Sequence, residues 1–115
     1  MDCKMDNCIF CRIASGEIPS KKVYEDDLAI AFYDLEPQAP VHVLIVPKKH
    51  YDNITMLDDD ALTAHLFKVA STVAEKLGVK HGFRLVINTG KDGGQSVNHL
   101  HIHLLGGREL QWPPG

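Results

Sequence analysis

Three histidines at alternate positions, His99, His101 and His103, carry more chemical potential than any other run of this 115-residue chain. Imidazole can attack as a nucleophile, shuttle a proton near neutral pH or bind a metal. Leu100, Ile102 and Leu104 fill the positions between, a period of two that predicts a β-strand over residues 98–105. On a strand, residues i, i+2 and i+4 share one face. The strand therefore lines three imidazoles on one side and buries three aliphatics on the other. Packing alone has little use for such a row, because each desolvated ring nitrogen needs a partner.

Directly upstream runs the glycine-rich stretch from Asn88 to Ser96. Glycines let a backbone approach a ligand closely, and their amides can donate to an anion. With Ser96 and the imidazoles as further donors, this loop reads as a phosphate cradle with a nucleophile at its edge. The plain alternative for Gly90, Gly93 and Gly94 is a hairpin turn. A second constellation is Cys8-Ile-Phe-Cys11, which has metal-ligand spacing; the alternative is a pair of small buried residues, since free cysteine buries readily. Cys3 is assigned nothing, and residues 1–6 are expected to fray.

The elements that must position these groups follow from pattern. Ile9, Phe10 and Ile13 predict a short helix over 8–15, with Asn7 as N-cap and Gly16 as stop. Strands are expected at Val23–Glu25 and Leu28–Tyr33, joined at Asp26 and Asp27. A third runs from Val41 to Val46, after a loop punctuated by Pro37 and Pro40. Leu62, Leu66, Val69, Val73 and Leu77 recur at three- and four-residue steps, predicting an amphipathic helix from about Asp58 to Leu77. Aspartates suit its start and Gly78 its end. His65 and His81, on or just past this helix, read as solvated. Phe83–Asn88 is a further strand. About five strands with one long and one short helix make an α+β domain with a largely antiparallel sheet.

Bulk properties narrow the function. The chain is expected to form one domain over residues 1–115, with 44% hydrophobic and 23% charged residues. A net charge of −3 without clustered Lys and Arg argues against a nucleic-acid groove or a membrane-surface patch. No apolar run reaches transmembrane length, and the N-terminus lacks the apolar region of a signal peptide. A cytoplasmic location is the resulting expectation. Three cysteines within eleven residues do not make a disulfide framework in a reducing compartment.

The run His99-Leu-His-Ile-His-Leu-Leu105 resembles the signature of the histidine-triad nucleotide-binding superfamily. Gly16-Glu-Ile-Pro19, Tyr24-Glu-Asp26, Pro40-Val-His42, Val46-Pro-Lys48, Gly93-Gly-Gln-Ser-Val97 and Trp112-Pro-Pro-Gly115 extend the likeness to the branch of purine nucleoside phosphoramidases, across nearly the whole chain. The resemblance implies a five-stranded antiparallel sheet with two helices, paired as a homodimer through a continuous ten-stranded sheet. It implies hydrolysis of nucleoside 5′-phosphoramidates, such as adenosine 5′-phosphoramidate, through a nucleotidyl-histidine intermediate. His101 is then the nucleophile, its other ring N–H held by a main-chain carbonyl; His103 and Ser96 donate to phosphate oxygens or pass a proton to the amine. His42 supports the triad from a neighbouring strand, and Asn88 with the amides of Gly94, Gln95, Ser96 and Val97 completes the phosphate site. Asp34 holds ribose hydroxyls, while Leu35, Phe32, Ile9, Phe10 and Ile13 wall the base pocket. Trp112, on a tail over 106–115, reaches towards the partner protomer. The chemistry needs no metal, but Cys8, Cys11, His50 and His99 match a structural Cys2His2 zinc site of some members.

Three other functions compete. A dinucleoside polyphosphate hydrolase would share the nucleophile. A metallohydrolase would use His99, His101 and His103 as three zinc ligands with water in the fourth place. A nucleotide-binding or adaptor protein would need no turnover.

Overall fold

In a computed structural model, which describes residues 7–115, five strands form one antiparallel sheet in the order β1-β2-β3-β5-β4. The strands are β1 (Lys22–Glu25), β2 (Ala29–Tyr33), β3 (Val41–Pro47), β4 (Phe83–Val86) and β5 (Ile102–Gly106), with helices α1 (Ile9–Ala14) and α2 (Asp60–Lys76) and a short 3₁₀ turn at Ile54–Met56. The expected α+β class, the antiparallel sheet and the long and short helices are all present. The expected fraying of residues 1–6, and Cys3, lie outside the described residues.

The alternation of the central strands makes the sheet two-sided. Ala29, Ala31, Val43, Ile45, Ile102 and Leu104 point to one face and bury with Leu62, Leu66, Val69 and Val73 of α2. Ile30, Phe32, Leu44 and Val46 point to the other and bury with Phe10, Cys11 and Ile13 of α1. Helix α2 has the expected amphipathic face; Asp59 caps it by accepting the Leu62 N–H at 3.0 Å. Turning at Gly78, where φ is +76°, ends it. Helix α1 is capped by Cys8 rather than Asn7, because the Cys8 sulfur accepts the Cys11 N–H at 3.4 Å. No described helix is long and apolar enough to cross a membrane.

Three further expectations need correction. The histidine strand is shorter than 98–105: β5 pairs with β3 only from Ile102, opposite Ile45. Leu100 instead donates its N–H to the Tyr51 carbonyl at 2.7 Å, so residues 99–101 run outside the ladder. Strand β4 ends at Val86 rather than Asn88. His65 is not simply solvated: its Nε2 lies 2.6 Å from Asp26 Oδ2, tying α2 to the β1–β2 turn. Asp26 also accepts the Tyr24 hydroxyl and the Leu28 and Ala29 amides. Burial pushes its carboxyl up, but these hydrogen bonds outweigh burial and hold it down at about 2.

Candidate active site and metal centre

The three histidines sit on the α1 side of the sheet while Leu100, Ile102 and Leu104 enter the α2 core, as the period of two required. The rings are not a uniform row along an open face. His99 and His101 are buried, at 0% and 3% exposure, and His103 is half-buried. Each ring has its own partner, and that partner selects the nitrogen left to act.

His101 is fixed by its own backbone: Nδ1 donates to the His99 main-chain carbonyl at 2.7 Å. Its Nε2 therefore carries the lone pair. The ring lines a cavity of about 350 Å³ together with His103, Ser96 and Val97. Phe10 of α1 packs edge-on against it, with centroids 5.1 Å apart.

His103 is fixed through His42. Strand pairing sets Leu44 and Val86 on either side of His103, and His42 opposite Leu105, so the two histidines are diagonal neighbours on one face. His42, 4% exposed, accepts the Gln38 N–H on Nδ1 at 3.0 Å. Its Nε2–H then faces His103 Nδ1 at 2.9 Å, leaving the His103 proton on Nε2. Asp34 Oδ2 stands 3.5 Å from the same His42 nitrogen. Burial, then the neighbouring His101 and His42, push His103 down to about 4, and burial lowers His42 against the opposing pull of Asp34. Both rings are neutral at pH 7, so His103 acts as a neutral hydrogen-bond donor.

The same cavity is walled by Ile9, Phe10, Ile13, Phe32 and Leu35, with Asp34 at its edge. Phe10, Ile13 and Phe32 serve equally as core, whereas Leu35 is 94% exposed. Asp34 has one oxygen engaged by the Glu36 N–H at 2.8 Å.

Gly94, Gln95, Asn88 and Trp112, also expected in the site, do not line this cavity. Gly94 and Gln95 donate their amides to Lys91 and Gly90 within the loop, each at 3.0 Å. The Gln95 side chain braces that loop further, accepting from Gly90 N–H and donating to the Asp52 and Val97 carbonyls. Gly93 packs so closely on Thr89 that a Cβ there would strike its backbone. Among the described residues, the Ser96 and Val97 amides meet no protein acceptor, so the anion donors of this loop narrow to them and the Ser96 hydroxyl. Asn88 lines a neighbouring cavity with Arg84 and Arg108, and Trp112 is 79% exposed and outside the histidine cavity. The tail is tied to β4 where Arg84 donates to the Gln111 carbonyl at 3.0 Å.

His99 turns away from the cavity into a different cluster. Its Nδ1 lies 3.3 Å from Cys8 Sγ and 3.6 Å from Cys11 Sγ, and His50 Nδ1 lies 3.3 Å from Cys11 Sγ. All four ligand atoms fall within 4.8 Å of one another. A tetrahedral zinc site with ordinary Zn–S and Zn–N bonds has ligand-to-ligand edges of about 3.3–3.8 Å. The outer nitrogens are held as metal-binding imidazoles require: His99 Nε2 donates to the Pro47 carbonyl at 2.9 Å, and His50 Nε2 faces Asp52 Oδ1 at 2.8 Å. Burial lowers His99 to about 4, keeping it neutral. A cluster of two cysteines and two histidines is a candidate site for a soft or borderline divalent metal. Spacing alone did not show this convergence of residues 8, 11, 50 and 99. It also removes His99 from a three-histidine catalytic metal, since both its ring nitrogens face Cys8, Cys11 and Pro47 rather than the cavity of His101 and His103.

The sheet thus offers one tethered imidazole to an apolar cavity beside a second imidazole and a hydroxyl. The chain belongs to the HIT domain family, whose model matches residues 15–110. An uncharacterised HIT-like protein of Synechococcus elongatus is 51% identical over 112 residues, 96% of this chain and 98% of that one. Among solved structures, a HIT family hydrolase from Legionella pneumophila is 50% identical with a TM-score of 0.92, covering 95% of this chain and 100% of the other. A histidine triad nucleotide-binding protein from Candida albicans is 32% identical with a TM-score of 0.82, covering 93% and 83%.

Proposed function

We propose that this chain hydrolyses purine nucleoside 5′-phosphoramidates, such as adenosine 5′-phosphoramidate, to the nucleoside monophosphate and an amine. The observation that carries this reading is the 2.7 Å bond from His101 Nδ1 to the His99 carbonyl, which turns Nε2 to the cavity. In the first step Nε2 attacks the α-phosphorus, the P–N bond breaks, and the departing nitrogen takes a proton. His103 Nε2–H and the Ser96 and Val97 amides stabilise the charge on the phosphate oxygens. Because His103 is neutral, the Ser96 hydroxyl is the better group to hand that proton over. Water then attacks phosphorus and returns its proton to Ser96, the N–P bond to His101 breaks, and the free imidazole returns.

The apolar walls at Ile9, Phe10, Ile13, Phe32 and Leu35 suit a stacked base, and the remaining Asp34 oxygen suits a ribose hydroxyl. The Candida protein's description as nucleotide-binding supports the same ligand class. A structural zinc at Cys8, Cys11, His50 and His99 would close all four positions and leave no open site for water. Pairing into a homodimer would join two five-stranded sheets, with β4 and the tail as the edge offered to the partner.

The test is AMP release from adenosine 5′-phosphoramidate, with rapid acid-free quenching to trap a nucleotidyl group on His101. Release with a trapped His101 adduct supports the reading. A protein that binds AMP without turning over any phosphoramidate refutes it.

A further inference from the structure

Asp34 and Gln38 stand at the two ends of one short loop, and both ends reach His42. Gln38 donates its N–H to His42 Nδ1 at 3.0 Å, which puts the ring proton on Nε2. That proton has two acceptors within range, His103 Nδ1 at 2.9 Å and Asp34 Oδ2 at 3.5 Å. The main chain sets this spacing: the Asp34 N–H donates to the His42 carbonyl at 3.0 Å, just past the Tyr33–Val43 pair of β2 and β3. The carboxylate is therefore held beside the ring.

The loop is braced along its length. Asp34 Oδ1 accepts the Glu36 N–H at 2.8 Å, the Gln38 side chain donates to the Glu36 carbonyl at 3.0 Å, and Arg108 donates to the Gln38 carbonyl at 2.9 Å. Oδ1 is thereby occupied, and Oδ2 remains as the oxygen for a ligand in the cavity that Asp34 helps to line. The same oxygen is the one beside His42. Burial lowers both His42 and His103, and the Asp34 charge pulls the other way on each.

We infer that Asp34 couples the sugar to the reacting phosphate: a ribose hydroxyl bound at Oδ2 draws that oxygen away from the His42 proton, which then goes wholly to His103 and holds its Nε2–H on the phosphate. This rests on the nucleotide reading above, in which Asp34 takes the ribose hydroxyls. With no sugar bound, the bare carboxylate competes for the His42 proton, because a charged acceptor makes the stronger hydrogen bond. His103 is then held less firmly. A hydroxyl donating to Oδ2 shares its charge and ends the competition. Asp34 is thus a positioning residue for His103 as well as a binding one. Part of the sugar's binding energy appears only when His103 meets the transition state, so it raises turnover and not affinity alone.

The experiment compares adenosine 5′-phosphoramidate with its 2′,3′-dideoxy analogue, in wild type and in His42→Ala. In wild type, removing the hydroxyls raises KM and also lowers kcat by roughly fivefold, the scale of one hydrogen bond. In His42→Ala the KM penalty stays and the kcat penalty vanishes, because the link to His103 is cut. A wild-type loss confined to KM overturns the inference, as does a kcat penalty that survives in His42→Ala. Both outcomes leave the hydrolase reading intact. A second readout needs no turnover: the His42 Nε2 proton in 15N-histidine-labelled protein bound to AMP or to 2′,3′-dideoxy-AMP. A downfield shift with AMP that dideoxy-AMP does not produce supports the inference, and equal shifts overturn it. If AMP binds without hydrolysis of any phosphoramidate, the proposed activity falls and this spectrum decides the inference by itself. The same spectrum decides it if His42→Ala does not fold. Protein that binds neither nucleotide overturns both readings.

Discussion

His42 and His103 meet at 2.9 Å, Nε2 to Nδ1, and the amide of Gln38 closes the other side of His42 at 3.0 Å. Two groups in series therefore decide which His103 nitrogen bears the proton, and the answer points a neutral N–H towards the cavity. A parallel arrangement, His101 against its own strand, leaves a lone pair there instead. Two adjacent imidazoles, with centroids 5.0 Å apart, thus present an N–H and a lone pair side by side.

Replacing His42 should expose this series. His42→Ala leaves His103 Nδ1 without its donor, a cost of about 1–2 kcal/mol, or five- to thirtyfold in kcat. Steady-state kinetics on adenosine 5′-phosphoramidate read it, and an unchanged kcat would break the proposed link between the two rings.

The nucleophile itself should be indispensable for turnover but not for binding. His101→Ala is expected to lower kcat by roughly 10³-fold or more, about 4 kcal/mol, with AMP affinity still measurable by calorimetry. Wild-type turnover in this variant would remove His101 from the mechanism.

Stability should depend on pH in a defined direction. His103 has a folded pKa pushed down to about 4, below its ordinary 6.5. Between those values the unfolded chain binds the extra proton. Stability from this group is therefore complete above pH 6.5 and is lost as pH falls towards 4. Melting temperatures from pH 7 to 4 should fall less steeply for His103→Asn than for wild type; parallel curves would contradict the assignment.

Removing one thiol should cost stability as well. Cys8→Ser is expected to release bound zinc and lower the melting temperature by roughly 10 °C in a chain of this size. Elemental analysis beside calorimetry checks both, and unchanged metal content would end the zinc proposal.

The tail makes a narrower prediction. Trp112 is largely exposed and outside its own protomer's histidine cavity. Trp112→Ala should therefore leave the fold intact while altering preference among leaving amines if the tail serves the partner's site. Equal kinetics across several amines would separate the tail from catalysis.

The sequence by itself determined the elements, because their signals are local. Alternation of aliphatics set the two faces of β2, β3 and β5, three- and four-residue steps set α2, and glycines with positive φ ended both helices. The motif His99–His103 was legible as chemistry for the same reason, since residue types and a period of two lie within one short segment. What tertiary structure alone decided was which atom each side chain commits. Nothing in spacing says that Leu100 pairs with Tyr51, which ends β5 early and frees the His99 carbonyl for His101. Nor does spacing show that Gln95 is a strut of its loop, that His65 reaches Asp26, or that Asn88 lies in the neighbouring cavity. The resemblance named Cys8, Cys11, His50 and His99 as one ligand set, but their convergence depends on α1 crossing the sheet face beyond the end of β3. These are hydrogen-bond and packing choices between segments far apart in the chain. They are settled only when burial forces each polar nitrogen to find its partner.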